Sequence, residues 1–336
     1  MKAGVSAQQF GRLPDGRAVH AFTLDNGLGL RLRVLDYGAI VAGLWLPEPH
    51  GAGVNVVLGY PDLEGYLRDT AFMGVVAGRY ANRIAGASFV LDGQRHTLVA
   101  NDGLNCLHGG PAGFGTRLWR AQAVEVEEGA ALDLYLLSPD GEMGFPGALE
   151  VLVRYTVGPD MSWRVDYEAR CDRATVINLT SHAYFNLAGV GSGTALGQEL
   201  CIPASRYVEV DAGGIPVAHR AVAGTAFDFR ETRPIGQAMA YDHCWLLDAA
   251  RDRGLHSAAQ LRDPASGRSM EVLTTEPALQ FYAGAHLPGA RQGTGICLET
   301  QHSPDSPNRL PGPDWPSTVL RPGQLFHSST LHRFKP

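Results

Sequence analysis

Apolar and polar residues alternate with period two along much of the chain. Met161, Trp163, Val165, Tyr167 and Ala169 fall on one side of an extended segment, and Ser162, Arg164, Asp166, Glu168 and Arg170 fall on the other. The preceding run places Leu149, Val151, Val153, Tyr155 and Val157 on one side, and the turn-type residues "VGPDMS" separate the two. The pair is expected to form an antiparallel hairpin. Residues 28–34 follow the same rule, with Leu28, Leu30, Leu32 and Val34 inward and Arg31 and Arg33 outward, and "LDLYLL" at 132–137 repeats it. Helical periodicity over three or more turns is missing. The stretch 66–84 has room for a short helix, but its glycines oppose a long one. The pattern predicts an all-β protein.

Composition sharpens this. Glycine (41) and proline (21) are abundant enough to suit many short strands joined by turns. No internal repeat, low-complexity tract or linker-like shift divides the chain, so residues 1–336 are expected to form a single domain, one large antiparallel β-sandwich. The Pro/Gly-rich stretch 304–316 reads as an ordered loop.

A net charge of −6 without long runs of either sign gives no reason to expect nucleic acid or a membrane surface as partner. A small neutral molecule fits better. No apolar stretch approaches the length of a membrane span, and the start "MKAGVSAQQFGRLPDG" lacks the apolar segment of a signal peptide, so a cytoplasmic protein is expected, as monomer or homodimer. Five cysteines with no C-x-x-C pair read as buried thiols, not as disulfides or a zinc site.

Several polar stretches break the alternation: "GRYANRI" (78–84), "NDGLNCLHGG" (101–110), "NLTSHAYFNLAG" (178–189), "YDHCW" (241–245), "PALQFYAG" (277–284) and "ICLETQHSPDSPN" (296–308). Each sets a few hydrogen-bonding side chains among aromatic or small apolar residues. That is the composition of a sugar site, where hydroxyls need directed donors and acceptors and C–H faces need aromatic surface. Glu299 follows the apolar run Ile296–Leu298 and is expected at a strand end, where partial burial raises a carboxylate pKa and makes it a base. His182 and His108 are candidates for proton transfer near neutral pH. Asn82, Arg83, Asp242 and Gln280 are suited to binding hydroxyls. Each has a plainer reading as a core, turn or surface residue, and the seven act together only if the fold gathers them.

Six of these segments, "GRYANRI", "LHGG", "NLTSHAYFNLAG", "DHCW", "ALQFYAG" and "ICLETQHSPDSPN", occur in one order over about 230 residues, and in that order they resemble the aldose 1-epimerases, or galactose mutarotases. The resemblance implies the family's β-supersandwich and interconversion of the α and β anomers of free aldoses such as D-galactose and D-glucose, with no metal or organic cofactor. It implies Glu299 as catalytic base and His182 as catalytic acid. It further implies that His108, Asn82, Arg83, Asp242 and Gln280 bind the sugar. Where the family commonly has asparagine just before the catalytic histidine, this chain has Ser181. A sugar-binding protein without catalysis and an epimerase of hexose 6-phosphates are the alternatives, the second disfavoured by the absence of clustered Arg and Lys for a phosphate.

Overall fold

The computed structural model describes residues 2–48, 51, 53–236, 240–249 and 254–336. Among these, the strands form three large sheets of nine, six and five strands, together with several two-stranded ribbons. The expected hairpin is there. Leu149–Val157 pairs antiparallel with Ser162–Cys171, with Val157 opposite Trp163. Its turn is closed by the Gly158 amide donating to the Ser162 carbonyl at 2.9 Å, with Met161 in the left-handed region at φ 56°.

The hairpin lies within the nine-stranded sheet, whose inner face packs on the six-stranded one. Trp163 of the first sheet meets Phe185 of the second at 6.2 Å between ring centroids, and its other neighbour is His332, stacked at 4.3 Å. Thr300 and Thr330 join the sheets through a 2.6 Å hydroxyl contact that continues to Thr274 at 3.0 Å. The largest apolar cluster draws Leu32 and Leu44 from the five-stranded sheet, Val153 and Trp163 from the nine-stranded and Phe281 and Leu298 from the six-stranded. Two facing antiparallel sheets around such a core make a β-sandwich. Truncating a side chain as buried as Trp163 to alanine typically costs about 3–5 kcal/mol.

Two local expectations change. Leu28 does not face inward; it is 57% exposed, in the turn before the strand Arg31–Leu35, while Leu30, Leu32 and Val34 are buried. The short helix occupies Leu63–Leu67, overlapping only the start of the stretch 66–84. Asp62 caps it by accepting from the Gly65 amide at 2.9 Å.

Alternation gives the six-stranded sheet two unlike faces. Leu298, Phe281, Leu279 and Trp245 point into the sandwich core. From the same strands, Cys297, Glu299, Gln280, Tyr282 and Asp242 point the other way. That second face is the floor of the candidate site.

Candidate active site

The floor is built by register. Gln280 lies opposite Glu299, Tyr282 lies opposite both Cys297 and Asp242, and Tyr184 is the further partner of Cys297. Glu299 is the fourth residue of the strand Ile296–Gln301, so it is mid-strand and not at a strand end as expected. The consequence is deeper burial, with only 2% of the residue exposed.

The walls come from two segments far away in sequence. The strands Arg83–Ile84 and Cys106–Leu107 form a two-residue ribbon with Leu107 opposite Arg83, and the His108 amide donates to the Asn82 carbonyl at 3.2 Å. Asn82, Arg83 and His108 are therefore presented together. Asn82 and His108 adopt left-handed backbone, at φ 64° and 50°, as does Phe72 at 55°. Such conformations outside glycine cost energy and cluster where a site is shaped. Gly109 follows His108 because no other residue fits: a Cβ there would stand 2.1 Å from the Gly78 carbonyl oxygen. His182 is pinned through its backbone, its amide donating to Val75 O at 2.9 Å and its carbonyl accepting from Gly74 N at 3.1 Å.

Together these elements enclose a cavity of about 160 Å³, lined by Asn82, Arg83, His108, His182, Asp242 and Glu299 among others. Six of the seven residues picked from the sequence thus line one space. The seventh, Gln280, is not on the lining; it is buried beside it and donates to Asp242 Oδ1 at 2.6 Å. The lining also includes Phe72, Tyr282 and His286, which the sequence did not single out. Phe72 covers the histidines, 4.6 Å from the His108 ring and 6.0 Å from that of His182. The cavity adjoins a cleft of about 400 Å³ that shares Phe72, Leu107 and His108. A larger groove of about 550 Å³ lies against the nine-stranded sheet, among Arg120, Tyr135, Glu150 and Glu168, but brings no buried acid and imidazole together.

His182 Nε2 stands 3.8 Å from Glu299 Oε1. At that distance the two have the geometry of an ion pair, but burial opposes charge on both. It pushes the Glu299 carboxyl well above the usual carboxylate range, with the negative Asp242 adding to the rise and Arg83 opposing it. Burial likewise holds His182 down to about 4. Both shifts favour the uncharged forms, a carboxylic acid beside a neutral imidazole. His108 is held well below its ordinary value by burial, then by His182 and Arg83.

The Asn82 backbone N–H donates to His108 Nδ1 at 3.2 Å, so the ring proton sits on Nε2 and His108 is a fixed hydrogen-bond donor. This bears on metal binding. His108, His182 and Glu299 offer three ligating atoms within 4.8 Å of one another, a spacing a divalent cation accepts. A nitrogen that carries a proton cannot ligate, and the set fits proton chemistry better.

Arg83 is oriented by Asp102, whose Oδ2 accepts from Nε at 2.6 Å, and it reaches Asp242 Oδ2 at 4.0 Å. Asp102 was not legible as a site residue; its only signal was its place in "NDGLNCLHGG".

A model of the aldose 1-epimerase family matches residues 20–333. The chain belongs to the aldose 1-epimerase family. This epimerase is 38% identical to human galactose mutarotase over 350 residues, covering 99% of both chains. It is also 38% identical to the aldose 1-epimerase of Escherichia coli strain K12 over 342 residues, covering 96% of each. Among solved structures, galactose 1-epimerase from Lactobacillus acidophilus NCFM matches with a TM-score of 0.86 at 29% identity, covering 99% of both chains. The epimerase is accordingly an isomerase acting at the anomeric centre of aldoses, and its all-β sandwich is the family's. Ser181, at the position where asparagine is common, leaves the imidazole of the epimerase directed at Glu299.

Proposed function

We propose that Glu299 and His182 carry anomer exchange of a free aldose such as D-galactose or D-glucose, with His108, Asn82, Arg83 and Asp242 holding the sugar and Gln280 holding Asp242. The observation that supports this most directly is the buried pair itself, an acid and an imidazole 3.8 Å apart at the base of the cavity.

Opening the pyranose needs a base at the C1 hydroxyl and an acid at the ring oxygen. The neutral pair holds the same number of protons as a carboxylate beside an imidazolium, so one proton moved from Glu299 to His182 creates both reagents. Glu299 then takes the O1 proton, the C1–O5 bond breaks as the C1 carbonyl forms, and His182 gives its Nε2 proton to O5. Rotation about C1–C2 presents the other carbonyl face, and the same groups return their protons in reverse on closure. His108, a donor by its tautomer, and Arg83 stabilise charge growing on oxygen during the opening.

Arg83 is the one Arg or Lys side chain on the described lining, and it is already paired with Asp102. This supports an uncharged sugar over a hexose 6-phosphate. The free thiols of Cys106, Cys171, Cys201, Cys244 and Cys297 support a reducing, cytoplasmic setting.

Polarimetry of freshly dissolved α-D-galactose and α-D-glucose tests the assignment and ranks the sugars. Glu299→Gln is expected to lower kcat by about 10²–10⁴, the usual contribution of one positioned proton-transfer group, and His182→Asn by a similar factor. Near wild-type turnover in Glu299→Gln removes Glu299 from the mechanism. Unchanged kcat with a raised KM in His182→Asn makes His182 a binding residue.

A further inference from the structure

Cys297 and Glu299 stand two apart in one strand and leave the sheet on the same face. Each approaches a different nitrogen of one ring: Cys297 Sγ lies 3.4 Å from His182 Nδ1, and Glu299 Oε1 lies 3.8 Å from Nε2. We propose that the Cys297 thiol is a positioning residue for His182, accepting the Nδ1 proton and so keeping Nε2 as the nitrogen that exchanges a proton with the sugar. This rests on the acid role proposed for His182.

The direction of the bond follows from the two groups themselves: an imidazole N–H is the stronger donor, and a thiol is a weak one that can accept. The Tyr184 hydroxyl donates to the Ala71 carbonyl at 2.8 Å, which leaves the lone pairs of its oxygen for another donor. Tyr184 is the cross-strand neighbour of Cys297, and its hydroxyl interacts with the thiol. Cys297 is fully buried, burial holds its thiol well above the ordinary range so that it keeps its hydrogen, and Sγ retains lone pairs with which to accept. On this reading His182 donates from Nδ1 across the 3.4 Å contact. A hydrogen bond at one ring nitrogen fixes the state of the other.

The same logic gives His108 the opposite tautomer, because there a backbone N–H donates to Nδ1. Two imidazoles at 81° and 5.3 Å thus differ in function through what touches their far nitrogens. One is a permanent donor; the other carries the proton. Burial alone would be served equally by valine or alanine at 297, so the sulfur is the informative part.

Long-range proton–nitrogen NMR on the full chain with labelled histidine reads both tautomers without turnover. The expected result is a proton on Nδ1 of His182 and on Nε2 of His108. Cys297→Ala is expected to populate the Nε2–H form of His182 and to lower kcat for α-D-galactose about tenfold, with KM changed by no more than about twofold, the effect of losing one weak hydrogen bond to the ring. Cys297→Ser is expected to keep the tautomer and most of kcat. A wild-type His182 protonated on Nε2 overturns the proposal, and needs no variant to fold. So does Cys297→Ala with tautomer and kcat unchanged. If the tautomers are as expected but His182→Asn turns over normally, the acid role falls and the catalytic meaning of the Cys297 contact falls with it.

Discussion

Gln280 sits directly across the strand pair from Glu299, yet its amide nitrogen turns to Asp242 and donates to Oδ1 at 2.6 Å. Its own carbonyl oxygen and Glu299 Oε2 are both buried without a protein partner. The floor therefore fixes a negative charge near an acid that is already hard to ionise. After burial, Asp242 is the next cause of the raised Glu299 pKa.

From this follows a pH profile. The competent pair holds one mobile proton. It gains a second as pH falls toward about 4, where His182 charges. It loses the mobile proton when Glu299 ionises, above the usual carboxylate range. Asp242→Asn removes a charge that raises Glu299, so the alkaline limb of kcat/KM is expected to move to lower pH. An unmoved limb across a full pH–rate series would show that Asp242 does not tune the base.

Asp102 holds Arg83 from behind, Oδ2 to Nε at 2.6 Å. Asp102→Asn weakens a charge-assisted bond and frees the guanidinium, and KM for galactose is expected to rise roughly three- to tenfold with a smaller change in kcat. Steady-state polarimetry separates the two parameters. A fall in kcat alone would confine Arg83 to stabilising charge during ring opening, with no share in binding.

Gly214 lies against the same guanidinium. Its turn is tied by Asp211, whose Oδ1 accepts from Gly213 N at 2.8 Å and Ile215 N at 3.0 Å. A Cβ at Gly214, which has φ 73°, would stand 2.8 Å from Arg83 Cζ. Gly214→Ala is therefore expected to push Arg83 away and raise KM by about as much as Asp102→Asn, and the double variant should show less than the product of the two because both act through one side chain. Additive effects would indicate separate routes.

Three buried histidines make stability sensitive to acid. Burial holds His182 down to about 4, His332 down to about 3 and His108 well below 6.5. The folded-state values lie below the unfolded one, so their contribution is complete above pH 6.5 and is lost as pH falls toward about 4 and about 3. Thermal unfolding from pH 7 to 4 should show Tm falling through this window. His332→Phe, which keeps a ring on Trp163 but cannot protonate, is expected to flatten the slope, and an unchanged slope would assign the acid sensitivity elsewhere.

The sequence made legible what is local. Alternation in 149–171 gave the hairpin and its inward face, because a side chain's side of a strand depends only on parity. Glu299, His182 and His108 stood out because acids and imidazoles are conspicuous among apolar residues. Asp102, Cys297 and Phe72 did not. Asp102 matters through Arg83, reached across a ribbon; Cys297 through a ring 115 positions earlier in the chain; and Phe72 through a left-handed backbone that no residue type advertised. The error at Glu299 has the same origin, since the strand's extent was set by pairing with 278–282 and not by the end of its apolar run. Leu28 failed because the turn at Gly27 and Gly29, both at positive φ, interrupts the parity before the strand begins.

The two unlike faces of the six-stranded sheet tie accuracy of folding to accuracy of chemistry. Slipping Ile296–Gln301 by one position would aim Leu298 and Thr300 at the sugar and drive Glu299 and Cys297 into the sandwich interior. A misregistered strand thus fails on packing before it can fail on catalysis. The apolar side of the sheet acts as a proofreader for residues it never touches, and selection for a well-packed interior protects the placement of the acid and the thiol at no separate cost in sequence.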